Sequence, residues 1–239
     1  MTVENTPEIQ LRRLEEHIRT CTRCRLHQSR THAVPGDGPF NADLMFIGEA
    51  PGYHEDKQGK PFVGAAGQYL NDLLARNGLD RSRIYITNIL KCRPPKNRDP
   101  LPDEIAACRP FLEGQIQLIN PRIIVTLGRF ALQFFFPKAS ITRVHGQPRE
   151  MDGRWYFPTF HPAAALHQPR WQPLIEEDFR KLARLLQALT QTEETTYEQL
   201  TLFPTDNISP SGGKKSPTPQ EHTTPPSKPG KHQQGGYQT

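Results

Sequence analysis

The sequence predicts one α/β domain with a mostly parallel sheet and helices on both of its faces, and three observations carry that prediction. Four short apolar runs alternate with stretches of helical spacing. The connections between them are short, as in successive strand–helix–strand units. The first run, Asp43-Leu44-Met45-Phe46-Ile47-Gly48-Glu49-Ala50-Pro51-Gly52, is closed by Gly-x-x-Pro-Gly, the punctuation of a buried strand that ends in a tight loop. In open α/β sheets ligands collect at such carboxyl ends, where backbone N–H groups without a ladder partner face an acceptor. An ordinary strand-to-helix connector fits the same stretch.

Taken in order, residues 7–19 carry Ile9, Leu11, Leu14 and Ile18 among charges, an amphipathic helix with Thr6-Pro7 as cap and first position. It runs straight into Cys21-Thr22-Arg23-Cys24. After the first strand the chain from Tyr53 to Gly67 is polar and Gly-rich, and a helix over about 67–77 follows, ended by Asn77-Gly78. Arg83-Ile84-Tyr85-Ile86-Thr87-Asn88-Ile89-Leu90 is the second strand, rich in β-branched and aromatic side chains. It opens into Lys91-Cys92-Arg93-Pro94-Pro95-Lys96-Asn97-Arg98-Asp99-Pro100, too proline-rich for regular structure. Pro102-Asp103-Glu104 starts a helix that carries Cys108 and ends near Asn120-Pro121. The third strand, Arg122 to Gly128, precedes a short helix around Arg129 to Phe136. The fourth, near Trp155-Tyr156-Phe157-Pro158, leads to Thr159-Phe160-His161-Pro162-Ala163-Ala164-Ala165, and Pro173 to Leu189 closes the domain as an amphipathic helix.

A hydrophobic content of 35%, 24 prolines and a mean hydropathy of -0.68 are low for a compact globule, which points to an unfolded part. Residues 190–239 supply it. They are rich in Thr, Pro, Ser and Gln without apolar periodicity after Phe203, so a folded domain over 1–189 and a disordered tail over 190–239 are expected. The tail holds 4 Lys and 5 acidic side chains, which leaves residues 1–189 with 26 basic and 20 acidic groups and a surplus of +6. The positive charge belongs to the domain, where it favours polyanions without proving one. No apolar run approaches membrane-spanning length and Met1 is followed by Thr2-Val3-Glu4-Asn5, so the expected location is cytoplasmic, without a membrane.

Of the four cysteines, Cys21 and Cys24 form a C-x-x-C pair, whereas Cys92 lies on the proline-rich loop and Cys108 on the helix after it. Disulfides do not suit a reducing compartment. Zinc and a cubane iron–sulfur cluster both accept four thiolates, and the wide second pair suits the cluster better. Zinc stays open at this point, as do unrelated buried cysteines.

The motifs Gly48-Glu49-Ala50-Pro51-Gly52, Gly59-Lys60-Pro61-Phe62-Val63-Gly64, Thr87-Asn88, Lys91-Cys92-Arg93-Pro94-Pro95 and His161-Pro162-Ala163-Ala164 stand in one order. With them the chain resembles the family 4 uracil-DNA glycosylases over about residues 14–187. The resemblance implies a three-layer α/β/α sandwich around a short, mostly parallel four-stranded sheet, and a [4Fe-4S] cluster on Cys21, Cys24, Cys92 and Cys108. A related group traps uracil covalently through a histidine in a basic insertion after the second strand; the loop here has no such histidine, so turnover is expected.

The resemblance also implies a base pocket. Phe62 is its stacking face, Asn88 its edge reader and His161 the donor to the uracil O2, assisted by the backbone N–H groups of Glu49 and Ala50 beside Gly48. The Asp that better-known uracil glycosylases use stands here as Ala50, so Glu49 is the first candidate to activate water, with Glu55 and Asp56 behind it. Their bulky tyrosine against thymine's methyl is replaced by Gly52, which leaves Tyr53 or Glu55 to supply the block. Lys91, Arg93, Lys96 and Arg98 crowd the next loop, where they would grip phosphates, or else form a solvated basic surface.

The expected partner is uracil-containing DNA and the expected state a monomer. Gln199-Leu200-Thr201-Leu202-Phe203 resembles the short peptide with which bacterial DNA-maintenance proteins dock on the replicative sliding clamp. Two other readings stand beside a monofunctional uracil glycosylase: a glycosylase for another deaminated base such as hypoxanthine, and a non-catalytic iron–sulfur module that binds nucleic acid.

Overall fold

Helix α1 (Pro7–Arg19) is followed by β1 (Leu44–Gly48), α2 (Tyr53–Gln58), α3 (Ala65–Arg76) and β2 (Ile84–Asn88). Then come α4 (Pro102–Ile119), β3 (Ile123–Leu127), α5 (Gly128–Phe135), α6 (Ile141–Val144), β4 (Arg149–Met151), β5 (Arg154–Thr159), α7 (Pro162–His167) and α8 (Gln172–Thr201). A computed structural model of the chain describes residues 5–201.

The sheet has five strands in the order β2-β1-β3-β5-β4. β1 pairs in parallel with β2 on one side and β3 on the other, and β5 continues in parallel beside β3. Because the chain winds one way from β1 to β2 and the other way to β3, a crevice opens at the carboxyl ends of these strands. Along each strand, side chains alternate between two cores. Met45, Ile47, Tyr85, Ile124 and Tyr156 pack with Leu11 and Ile18 of α1 and Phe111, Leu112 and Ile116 of α4. Leu44, Phe46, Ile86, Val125 and Phe157 pack with Leu70 and Leu74 of α3 and Ile175, Phe179 and Leu182 of α8. The result is the three-layer α/β/α sandwich the sequence leads one to expect. Each fully buried Ile, Leu or Phe contributes about 1.5–3 kcal/mol, so both faces of the sheet are pinned.

Five elements differ from the sequence reading, of which α6 and α7 are short helices it left unassigned. The sheet has a fifth strand, since β4 pairs antiparallel with β5 through a tight turn at Asp152 (φ 53°) and Gly153 (φ 72°). Two positive φ values in succession make the turn that matches strand twist, and Asp-Gly was the available signal for it. The polar stretch after β1 contains α2, one and a half turns that end on left-handed Gly59 (φ 67°). Finally, α8 continues past Leu189 to Thr201, in a stretch where no Gly or Pro interrupts the chain before Pro204. Leu202 and Phe203 of the clamp-like peptide lie outside the described residues.

Candidate active site

The register of β1 and β2 sets Gly48 directly beside Asn88, at the end of both strands. A Cβ on Gly48 would collide with Asn88 Oδ1 and stand 2.8 Å from Phe62 Cζ, so only glycine leaves room for the two side chains to share this floor. Phe62 holds a left-handed backbone (φ 53°), which an aromatic residue adopts only when its surroundings impose it. Glu55 is one such constraint: its Oε1 accepts from Val63 N at 2.9 Å and Gly64 N at 2.8 Å, clamping the turn after the ring. Gly67 is another, since any Cβ there would strike the Phe62 carbonyl.

Across from Phe62 is His161, the N-cap of α7, with ring centroids 5.6 Å apart and 27° between the planes. Rings at that distance already touch, so a third ring stacks on the outer side of the pair rather than between them. Burial pulls the imidazole pKa down from 6.5 to about 4, more strongly than Glu55 raises it. His161 is therefore neutral at pH 7. Its Nδ1 accepts from Ala163 N at 3.2 Å, which assigns the ring proton to Nε2.

Phe62, Asn88 and His161 line one cleft of about 590 Å³ with Glu49, Ala50, Gly52 and Glu55. Asn88 is 2% exposed and its Oδ1 has no hydrogen-bond partner. A buried acceptor left unpaired costs about 1–3 kcal/mol; Tyr69 Oη and Thr126 Oγ1 share that condition among the described residues, and Asn88 Oδ1 is the one on a residue that lines this cleft. Glu49 is half-buried, and its pKa rises from 4.5 to about 7, chiefly through burial and then through repulsion from Asp99, against which Arg129 works. Ala163 and Ala164 of the His161 motif line the cleft too, as do Asn97, Asp99 and His167, to which the sequence analysis gave no site role.

Other sequence candidates fall elsewhere. Asp56 is buried and accepts from Thr31 N at 2.8 Å, holding the chain before β1, and is not part of the cleft wall. Tyr53 is 52% exposed, with the Arg93 guanidinium 5.2 Å from its ring centre, and does not line the cleft either. A Cβ on Gly52 would stand 2.8 Å from Glu55 Oε2.

The basic loop divides. Lys91 is 1% exposed, with its ammonium bonded to Thr87, Asn88 and Gln115, so it cannot reach a phosphate. The backbone turns it inward because β2 still pairs with β1 through Ile89 and Leu90 just before it. Arg98 spends its guanidinium on both oxygens of Glu104, at 2.9 and 2.6 Å. Arg93 bonds Asn97 Oδ1 at 2.7 Å, and Lys96 is exposed.

Cys21, Cys24, Cys92 and Cys108 are free thiols around one small cavity shared with Ile18, Arg30 and Phe111. Donors point at three of the sulfurs: Arg23 N to Cys21 at 3.4 Å, Arg30 Nη1 to Cys92 at 3.1 Å and Lys91 N to Cys108 at 3.3 Å. Burial raises the pKa of the Cys24, Cys92 and Cys108 thiols, that of Cys108 to about 11, and the donors to Cys92 and Cys108 offset part of that, so the set fits a sulfur-ligated group whose own positive charge would hold the thiolates. Among the described residues no group of three or more His, Cys, Asp or Glu is arranged to hold a metal ion.

Comparison with known proteins identifies the family. The family described as Uracil DNA glycosylase superfamily matches residues 35–190. A type-4 uracil-DNA glycosylase of Sulfurisphaera tokodaii is 48% identical over 185 residues, 73% of this chain and 84% of that protein. Those of Saccharolobus solfataricus and Thermotoga maritima are 48% identical over 183 and 173 residues, covering 72% and 70% of this chain and 85% and 90% of theirs. On that likeness the chain belongs to the uracil-DNA glycosylase superfamily and, within it, to the type-4 group.

Proposed function

We propose that this chain is a monofunctional uracil-DNA glycosylase of base excision repair, and the observation that carries the proposal is the unpaired, buried Oδ1 of Asn88 in a cleft walled by Phe62 and His161. The target leaves the stack at a cost of a few kcal/mol and lies against Phe62. Asn88 Oδ1 then accepts from uracil N3–H while its amide N–H donates to O4. Cytosine has the reverse pattern and leaves both atoms unpaired. As the C1′–N1 bond breaks, its electron pair moves onto the base and spreads to O2. The neutral His161 donates there through Nε2–H, with the backbone N–H groups of Glu49 and Ala50 beside it, an effect worth about 3–4 kcal/mol for one donor. Glu49, as carboxylate, takes the proton of the water that adds to C1′, leaving an abasic site and a uracil anion that is protonated as it departs, by Glu49 or by solvent.

Arg93 and Lys96 give the loop its sequence-independent hold on phosphate. The four cysteines fit a [4Fe-4S] cluster, with zinc as the alternative, and the bound group would supply a rigid cross-link between the chain after α1, the loop after β2 and α4. Brown protein with equal iron and acid-labile sulfide supports the cluster, and colourless protein with zinc supports the alternative. The domain of residues 1–189 works in the cytoplasm as a monomer, and Gln199, Leu200, Leu202 and Phe203 in the segment over 190–239 dock it on the sliding clamp. Deleting 199–203 should abolish clamp pull-down and spare activity on oligonucleotides.

One assay tests the central reading. Purified protein is incubated with uracil, hypoxanthine and thymine-mismatch oligonucleotides, followed by alkaline cleavage. Abasic sites at uracil alone are expected; sites at hypoxanthine alone, or none anywhere, overturn it.

A further inference from the structure

On the side of β2 away from the cleft, a second polar group touches the proposed base reader. The Lys91 ammonium has three N–H donors and three acceptors: the Asn88 carbonyl at 2.8 Å, Thr87 Oγ1 at 2.6 Å and Gln115 Oε1 at 2.6 Å. Those acceptors are themselves anchored. Gln115 Nε2 donates to the Pro35 carbonyl at 2.9 Å and to Tyr85 Oη at 3.0 Å, Thr87 Oγ1 donates to Pro35 at 2.6 Å, and Tyr85 donates to Glu15 at 2.9 Å.

β2 is an edge strand, and its outward backbone groups lack a neighbouring strand. At Ile86 the gap is filled by Asp37, whose N–H donates to the Ile86 carbonyl at 2.9 Å and whose carbonyl accepts from Ile86 N at 2.8 Å. Alternate residues of a strand aim their backbone groups to the same side, so the Asn88 carbonyl faces that edge too, and Lys91 takes the place of a strand there. The Asn88 Oδ1 has no bond of its own to aim it. Its direction is set by the peptide it hangs from and by Gly48, whose missing side chain leaves the space that Oδ1 occupies.

We propose that Lys91 is a positioning residue, which fixes the Asn88 peptide from behind and thereby aims the amide that selects uracil; this rests on the reading of the cleft given above. A buried, fully bonded lysine that merely fastened α4 to the sheet would affect stability alone.

Lys91→Met keeps the length of the side chain and removes the donors. Expected are a fall in kcat on uracil-DNA of about 10- to 100-fold, the scale of a small misplacement of a reacting group, and a KM within about twofold. Against an Asn88→Ala background the same change should cost no further kcat, because the two residues act as one unit. Should Lys91→Met not fold, Gln115→Met loosens the same ammonium, and a smaller loss of kcat with the same non-additivity is expected. The Asn88 side-chain amide resonance, followed without DNA, reads the device apart from activity and should shift or broaden in either variant. An unchanged resonance, or losses of kcat that multiply with Asn88→Ala, overturns the role of Lys91. Absence of uracil release by the wild type would instead overturn the function while the resonance still decides on Lys91.

Discussion

The two sides of β2's end are built from similar polar residues and treat them in opposite ways. Behind the strand, Lys91, Thr87, Gln115 and Tyr85 satisfy one another in a closed network. In front of it, Asn88 Oδ1 is unpaired, His161 is held neutral and Glu49 is pushed up toward pH 7. A buried polar group with all its bonds made belongs to the fold, whereas one kept short of partners stores an interaction for something else. Glu55 shows the same division inside the cleft. Its carboxylate is committed to two backbone N–H groups, while Glu49 has burial and Asp99 acting on it.

The comparison breaks most sharply at Glu49. Glu49→Gln should cost about 10²- to 10⁴-fold in single-turnover excision at pH 8, the usual range for a general base. Wild-type excision should rise as pH climbs through about 7, where this carboxyl ionises, and the variant's profile should be flat there. An identical profile in both proteins would move the role to another group. The same shift has a sign in stability. A carboxyl whose folded pKa is raised contributes stability below its unfolded value of 4.5 and loses it as pH rises through about 7, so Glu49→Gln should unfold at a higher temperature than wild type at pH 8.

His161→Ala comes next, with a loss of about 10²- to 10³-fold and unchanged retention of DNA in a gel-shift assay. A ring titration near pH 4 by NMR checks its neutrality. Asn88→Asp should then narrow the preference for uracil over cytosine by about 10- to 100-fold, since the carboxylate no longer offers N–H to O4. Competing the two bases in one oligonucleotide pool measures the ratio, and a constant ratio would detach selectivity from this residue. The smallest change is expected at Glu55→Gln, about 1–3 kcal/mol of stability from two charge-assisted bonds, read by thermal unfolding.

Much of this was legible along the chain. The four parallel strands announce themselves because a strand buried on both faces must be continuously apolar, and the Pro-Gly loop after β1 marks where the sheet opens. β4 escaped because three residues carry too little periodicity, and only its Asp-Gly turn spoke for it. The misreading of Lys91 is more instructive. Four basic residues in a row of loop positions look alike in sequence, yet Lys91 leaves the strand on the side of α4, where Gln115 waits, and Lys96 leaves it toward solvent.

By itself the sequence determined the α/β class, the place of each long element and the residue types on which the chemistry rests, because strand burial, helix caps and tight turns are local constraints. Only the tertiary structure decided that Phe62, Asn88 and His161 meet in one cleft, that four distant cysteines surround one cavity, and which charges are free to act. Hydrogen-bond partners and burial depend on what the rest of the chain brings alongside, and no window of neighbouring residues contains that information.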